Sequence, residues 1–148
     1  MAKLKLNVGL YRDDGLAVCI LTPRQAENMK KELCKIFKAK GLNTTIEANI
    51  KTVNFLDINL DLSSGMFKPY MKPNDTPQYV HKQSNHPPSI LENIPLAVNR
   101  RLNSISSNEA VFNEAIPPYQ EALNKSGYHH QQSHHTKKPS TKVVTIIS

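Results

Sequence analysis

Leu4, Leu6, Val8 and Leu10 alternate with polar or small residues, and a second apolar run, Leu16 to Leu21, follows after Asp13-Asp14-Gly15. Alternation with a period of two marks a strand with one buried face. Asp-Gly between two such runs marks a tight hairpin, because the turn needs positive φ and glycine supplies it at little cost. The pattern predicts an antiparallel hairpin over residues 5–21 with Asp13 and Asp14 at its tip. The period then changes. Thr22 is placed to cap a helix, Pro23 sits at its first position, and Gln25 completes a capping box with Thr22. Ala26, Met29, Leu33, Ile36 and Phe37 recur at three- and four-residue spacing, and Gly41 stands where a C-terminal cap is needed. A helix over 23–40, covering one face of the sheet, is expected.

Residues 44–50 read as a short strand. Leu56, Ile58, Leu60 and Leu62 alternate with Asp57, Asn59 and Asp61, the pattern of a half-buried strand. Ser63-Ser64-Gly65 turns the chain, and Met66–Tyr70 returns as a partner that Pro69 confines to an edge or strand end. Residues 72–88 are proline-rich and aperiodic, a long connection. Helical spacing resumes over 89–102 and 107–116, the second opened by Ser106 with Glu109 as a capping box. Pro117-Pro118 is expected to break it, leaving a short last helix over 119–125 closed by Gly127. Beyond Tyr128 the chain turns to His, Gln, Ser, Lys and Thr, too polar to bury a core, so 129–148 reads as a disordered basic, His-rich tail. Val143–Ile147 is a β-prone run within it. The fold class is α+β, with units at 1–71, 72–88, 89–128 and 129–148.

Composition adds a sign of charge. Nineteen Lys and Arg face twelve Asp and Glu, for a net charge of +7. Residues 1–80 hold twelve basic against eight acidic residues, and 129–148 hold three Lys and no acid. That balance favours a polyanionic partner, nucleic acid before an anionic membrane surface. Apolar residues make up 39% and aromatics 6%, so a modest core is expected. Two cysteines, Cys19 and Cys34, make no disulfide framework and read as reduced and structural. The opening residues lack a signal-peptide core, and no run approaches the roughly eighteen apolar residues that span a bilayer. An intracellular chain, in cytoplasm or nucleus, with no membrane partner is the expectation.

Candidate chemistry begins with Asp13 and Asp14. Adjacent carboxylates each push the other towards protonation, and a divalent cation relieves that repulsion. A hard oxygen site of this kind suits Mg²⁺, which keeps several waters and takes its other ligands from substrate phosphates. The same three residues also make an ordinary solvated turn, and by themselves do not decide between the two.

Longer motifs bear on that choice. Tyr11-Arg12-Asp13-Asp14 between apolar strands is followed by a capped helix, a short strand and Asn54-Phe55-Leu56-Asp57 before a second hairpin. This order resembles the palm of reverse transcriptases, the RNA-directed DNA polymerases. Ser84-Asn85-His86-Pro87-Pro88-Ser89, Arg100-Arg101-Leu102 and Tyr119-Gln120-Glu121-Ala122-Leu123 resemble the downstream region of animal retroelement polymerases, so the likeness spans about residues 9–128.

The resemblance implies that Asp13 and Asp14 are catalytic metal ligands for Mg²⁺ or Mn²⁺, Asp13 shared between two metals and Asp14 secondary. It implies attack of a primer 3′-hydroxyl on a nucleoside triphosphate, one metal activating the hydroxyl and the other steadying pyrophosphate. Tyr11 would pack near the primer terminus, and Phe55 and Leu56 in a Phe-Leu-centred hairpin would hold the primer backbone. Lys38, Lys40 and Lys51 are open candidates for the acid that protonates pyrophosphate. The family's third carboxylate lies on a strand well upstream of this motif, and its fingers precede that. Only ten residues precede Tyr11 here, so the expectation is a fragment, inactive alone, that binds metal weakly and an RNA or DNA template-primer.

Arg100 and Arg101 are candidates for phosphate contact, or for a solvated helix face. His129-His130 and His134-His135 carry imidazoles that bind transition metals, but a polar tail lacks the supporting shell such ligands need. His81 and His86 read as loop-placing residues. A reading from a different class also stands: a small basic nucleic-acid-binding or interaction protein whose Asp-Asp hairpin is only a turn.

Overall fold

The computed structural model of the chain describes residues 7–135, in which two antiparallel sheets and three helices form an α+β arrangement. The expected hairpin residues 5 and 6, the tail after 135 and the β-prone run at 143–147 lie outside the described residues.

The first sheet is a hairpin of β1 (Asn7–Tyr11) and β2 (Asp14–Val18), with Val8 opposite Ala17 and Tyr11 opposite Asp14. The turn falls two residues earlier than Asp-Gly predicts. Its two residues are Arg12 and Asp13, and the positive φ is taken by Arg12 at 50°. Gly15 sits inside β2 opposite Leu10, where an added Cβ would approach Leu10 Cδ2 to 3.0 Å. Gly15 therefore takes a place in the strand ladder instead of in the turn.

Helix α1 (Pro23–Ala39) has the expected punctuation. Thr22 Oγ1 accepts from the Gln25 amide at 3.3 Å, and Gln25 Oε1 accepts from the Thr22 amide at 3.0 Å. At the other end Gly41, with φ 76°, lets its own amide reach Lys38 O and the Leu42 amide reach Phe37 O. That pair of bonds is a Schellman closure. The apolar stripe is shielded only in part: Met29, Leu33 and Phe37 are half-buried and no residue of α1 is fully buried. Across the first hairpin Val8 and Leu10 stay 52% and 78% exposed. A two-stranded hairpin has little apolar face to offer a seventeen-residue helix.

No strand forms over 44–50. Asn49 takes φ 60° and its side-chain amide donates to Pro23 O at 3.2 Å, so the segment ends by bonding back to the start of α1 instead of to a neighbouring strand.

The second sheet runs β3 (Thr52–Phe55), β4 (Ile58–Asp61) and β5 (Met66–Pro69) in that order, all antiparallel. The alternating run from Leu56 to Leu62 is therefore not one strand. Leu56 and Asp57 form a two-residue turn with Leu56 at φ 55°, which centres the hairpin beside Phe55-Leu56. Alternation is blind to a turn that consumes an even number of residues, because the period resumes in phase on the far side. Pro69 ends β5 on the sheet edge, as a residue without an N–H must.

The core lies in the second half of the chain. Helix α2 (Pro88–Ser104) and helix α3 (Glu109–Lys125) bury Leu91, Leu102, Val111, Phe112, Ala122 and Leu123, with Ile105 and Tyr128 beside them and Leu60 contributed by β4. Two expectations fail here. The cap of α3 is Asn108, whose Oδ1 accepts from Val111 N at 3.0 Å, whereas Ser106 is buried and donates to Leu102 O at 2.7 Å. Pro117 and Pro118 lie inside one continuous helix. A proline at either position leaves the carbonyl four residues earlier without a donor. Those carbonyls belong to Asn113 and Glu114, which are exposed to solvent, while Val111, Phe112, Ala122 and Leu123 pack on both sides of the break.

The connection over 72–88 is anchored to the end of α3. Lys82 N donates to Ser126 O at 2.8 Å and the Tyr128 hydroxyl donates to Val80 O at 2.9 Å. The tail has no helix or strand over 129–135, in keeping with its polarity, yet this stretch is hydrogen-bonded to α2 and α3. Its hold is on the main chain, which an argument from side-chain hydrophobicity does not count.

Candidate metal and nucleic-acid site

The expected site residues fall on separate elements. Asp13 and Asp14 are both exposed at the tip of the first hairpin, Asp13 in the turn and Asp14 at the head of β2. Tyr11 is Asp14's direct cross-strand partner, so the two side chains share a face, and Tyr11 is 52% exposed. The Arg12 guanidinium lies 5.7 Å from the centroid of the Tyr11 ring, within cation–π range. The tip therefore presents two anions, a phenol and one cation tied to an aromatic face.

An ordinary turn aspartate elsewhere in the chain shows what is different. Asp61, before the Ser63-Ser64-Gly65 turn, accepts from the Ser63 amide at 2.9 Å and the Ser64 hydroxyl at 3.0 Å. Those bonds favour its charged form and hold its carboxyl below the usual value of 3.8. No hydrogen bond to the side chain of Asp13 or Asp14 is made among the described residues, so both carboxylates keep their lone pairs for water or a cation. Two such carboxylates fit Mg²⁺ or Mn²⁺ as a partial ligand set, with the remaining positions left to water and phosphate oxygens. No group of three or more His, Cys, Asp or Glu able to hold a metal is present among the described residues.

Phe55 and Leu56 lie at the tip of the β3–β4 hairpin, Phe55 half-buried and Leu56 43% exposed. Asn54 and Asn59 brace the hairpin across its strands through a side-chain bond of 2.6 Å. The other turn residue, Asp57, is gripped by Arg101 of α2, whose Nη2 approaches Asp57 Oδ1 to 2.6 Å and Oδ2 to 2.7 Å, with Nε at 2.9 Å from Oδ2. Arg101 is thus paired with a carboxylate while its side chain stays half exposed. Arg100 beside it is exposed and has no ion-pair partner among the described residues.

The Asp57–Arg101 pair forms one wall of a cavity of about 310 Å³ whose other lining includes Tyr79, Tyr119, Leu102 and Ile105. Burial, and then the nearby Tyr119, push the Tyr79 hydroxyl up to about 12. Tyr119 is raised as well, first by burial and then by the Asp57 charge, with Arg101 opposing. Composition and periodicity do not single out Asp57, Tyr79 or Tyr119. The signal was present in the motifs: Asn54–Asp57, Arg100–Leu102 and Tyr119–Leu123 lie far apart in sequence, and the fold brings Asp57, Arg101 and Tyr119 to one cavity.

The histidines stand apart from this cluster. His81 Nδ1 accepts from the Gln83 amide at 3.1 Å, and Ser84 Oγ and His86 Nδ1 share a hydrogen bond of 2.9 Å, both shaping the connection. His134 leans on Phe112, ring centroids 5.4 Å apart. Cys19 and Cys34 are free thiols, each half-buried. No helix among the described residues is long and apolar enough to cross a membrane. No family model, no curated protein and no solved structure matches this chain.

Proposed function

We propose that the chain is a piece of an RNA-directed DNA polymerase, bearing the Tyr-x-Asp-Asp metal-binding hairpin and inactive without the elements that complete a two-metal site. The observation that carries this reading is the state of Asp13 and Asp14: two adjacent exposed carboxylates on a hairpin tip, without the turn hydrogen bonds that Asp61 makes. Support also comes from Asp57, Arg101 and Tyr119, since residues of three separate motifs of the resemblance meet at one cavity.

In this reading Asp13 and Asp14 bind a divalent cation, whose role is to neutralise charge on the oxygens of a transferring phosphoryl group. Tyr11, sharing a face with Asp14, lies against the primer end. Leu56, exposed beside Asp57, touches the primer backbone, with Phe55 behind it. Arg100, exposed on α2 and without an ion-pair partner among the described residues, meets phosphate. Arg101 acts indirectly, by fixing the hairpin that carries Phe55 and Leu56.

The test is template-primer binding by the purified chain, with and without Mn²⁺. Mn²⁺ is expected to strengthen binding of an RNA–DNA duplex by the wild type and to have no effect on Asp13→Asn. Binding should weaken steeply as salt rises, because phosphate contacts release counterions. Duplex binding that ignores Mn²⁺ in both proteins would favour the other reading, a basic nucleic-acid-binding protein whose Asp-Asp hairpin is a turn.

A further inference from the structure

Residues 130–135 lie extended along the groove between α2 and α3, and three side-chain amides hold their main chain. From α3, Gln120 Nε2 donates to His130 O at 3.0 Å while Gln120 Oε1 accepts from Gln132 N at 3.2 Å. From α2, Asn99 Oδ1 accepts from Ser133 N at 2.9 Å, Asn103 Nδ2 donates to Ser133 O at 2.9 Å, and Asn103 Oδ1 accepts from His135 N at 2.8 Å. In an extended chain, alternate residues present their N–H and C=O groups to opposite edges. Gln120 therefore reads the edge of residues 130 and 132, and the two asparagines read the edge of 133 and 135. Asn99 and Asn103 stand one helical turn apart on one face of α2 and are both buried. Polar side chains are costly to bury; the main chain of the strap satisfies both Oδ1 atoms, while Asn103 Nδ2 also donates to Asn99 O at 2.9 Å.

Because all five bonds go to the main chain, any extended segment can make them. Side-chain choice resides in two positions. Residues 132 and 134 are half-buried while 131, 133 and 135 are exposed, so 132 and 134 face the groove. At 134 the histidine ring meets Phe112, itself 1% exposed. At 132 the fit is poor: both Nε2 and Oε1 of Gln132 are buried without a hydrogen-bond partner among the described residues. A buried amide with no partner gains nothing from its polarity at this position.

We infer that the α2–α3 groove is a binding site for an extended segment of a partner protein, with an apolar side chain at the position of Gln132 and an aromatic ring two residues later, and that residues 130–135 occupy it as an imperfect self-ligand. The mismatch at Gln132 keeps the strap displaceable. This site is independent of the Asp13–Asp14 hairpin and of the polymerase reading.

The test uses the full chain and a fluorescein-labelled peptide of residues 129–135 carrying Gln132→Leu, followed by anisotropy. Saturable binding is expected, about tenfold tighter than for the unsubstituted peptide, the size of one buried unsatisfied amide. Methylating the peptide nitrogens of residues 133 and 135 should abolish it, since those N–H groups are what Asn99 and Asn103 accept from. Ser133→Pro in the chain removes the first of these bonds from the strap and should raise peptide affinity. Gln132→Leu in the chain makes the strap a better competitor and should lower it about tenfold. Absence of saturable binding to both the wild type and Ser133→Pro would overturn the inference, as would equal binding of the methylated peptide. A concentration-dependent dimer that blocks the peptide would assign the groove to the strap of a second copy and overturn the partner reading.

Discussion

Arg101 on α2 holds Asp57, at the tip of the β3–β4 hairpin, through hydrogen bonds of 2.6, 2.7 and 2.9 Å across 44 residues of chain. Two donors of a planar guanidinium on both oxygens of one carboxylate orient the partners as well as attract them. This pair ties the β3–β4 turn, which carries Leu56 beside Phe55, to the helical core.

Both side chains remain about half exposed, 55% for Arg101 and 41% for Asp57, which limits what the pair contributes. A double-mutant cycle with Asp57→Ala and Arg101→Ala should give a coupling of about 0.5–1 kcal/mol at low salt, shrinking as salt rises. Arg101→Lys should lose most of it, because an ammonium cannot bind both oxygens in the same plane. Urea unfolding of the four proteins measures the coupling, and a value within error of zero would make the pair incidental. In nucleic-acid binding, Arg100→Ala should cost more than Arg101→Ala.

Asp13 and Asp61 should respond in opposite ways to the same substitution. Asp61→Asn removes the charged acceptor of the Ser63 and Ser64 bonds and should lower the melting temperature. Asp13→Asn should leave it unchanged or raise it slightly, since it relieves repulsion with Asp14 and breaks no bond. Thermal melts with and without millimolar Mn²⁺ complete the test: Mn²⁺ should stabilise the wild type and Asp61→Asn but not Asp13→Asn. Asp61 also contributes a pH dependence. Its folded carboxyl titrates below the ordinary 3.8, so its stabilisation is present above pH 3.8 and is lost as pH falls through the lower, folded value.

Tyr79 carries an alkaline pH dependence. Its hydroxyl is pushed up to about 12 from an ordinary 10.0, so the folded state binds that proton more tightly than the unfolded chain. The associated stability is complete below pH 10.0 and is lost as the pH rises towards 12. In a spectrophotometric phenolate titration, Tyr79→Phe should remove the last step. Asp57→Asn should move Tyr119 downward, because the Asp57 charge is one cause of its raised value.

The two prolines inside α3 should be destabilising in themselves. Pro118→Ala restores an amide donor towards the exposed Glu114 carbonyl and removes a ring from the helix interior. A gain of about 1–3 kcal/mol is expected, read from the urea midpoint. A loss instead would mean that the ring contributes packing that α3 needs.

Much of the fold was legible because its signals are local. The capping box at Thr22 and Gln25, the left-handed stops at Gly41 and Gly127, and the edge position of Pro69 each depend on backbone geometry within a few residues, which residue type constrains directly. Adjacent carboxylates near a hairpin tip are likewise visible in the order of residues, and Asp13 and Asp14 stand there. What the sequence alone determined is thus α1 with both its ends, the pairing of β1 with β2 and the edge place of Pro69.

Tertiary structure decided the rest, for reasons of register, burial and long-range bonding. The turn at Arg12-Asp13 closes ahead of the Asp-Gly signal, leaving Gly15 inside β2 opposite Leu10. Leu56-Asp57 divides an apparently single strand because a two-residue turn leaves the alternation in phase. Pro117 and Pro118 remain in a helix with core residues packed on both sides of them, and Asn113 and Glu114, whose carbonyls lose their helical donors, are exposed residues. Nothing in the local sequence couples Arg101 to Asp57, or Asn99 and Asn103 to the main chain of Ser133 and His135. Those contacts join residues far apart along the chain, and only folding brings them within bonding distance.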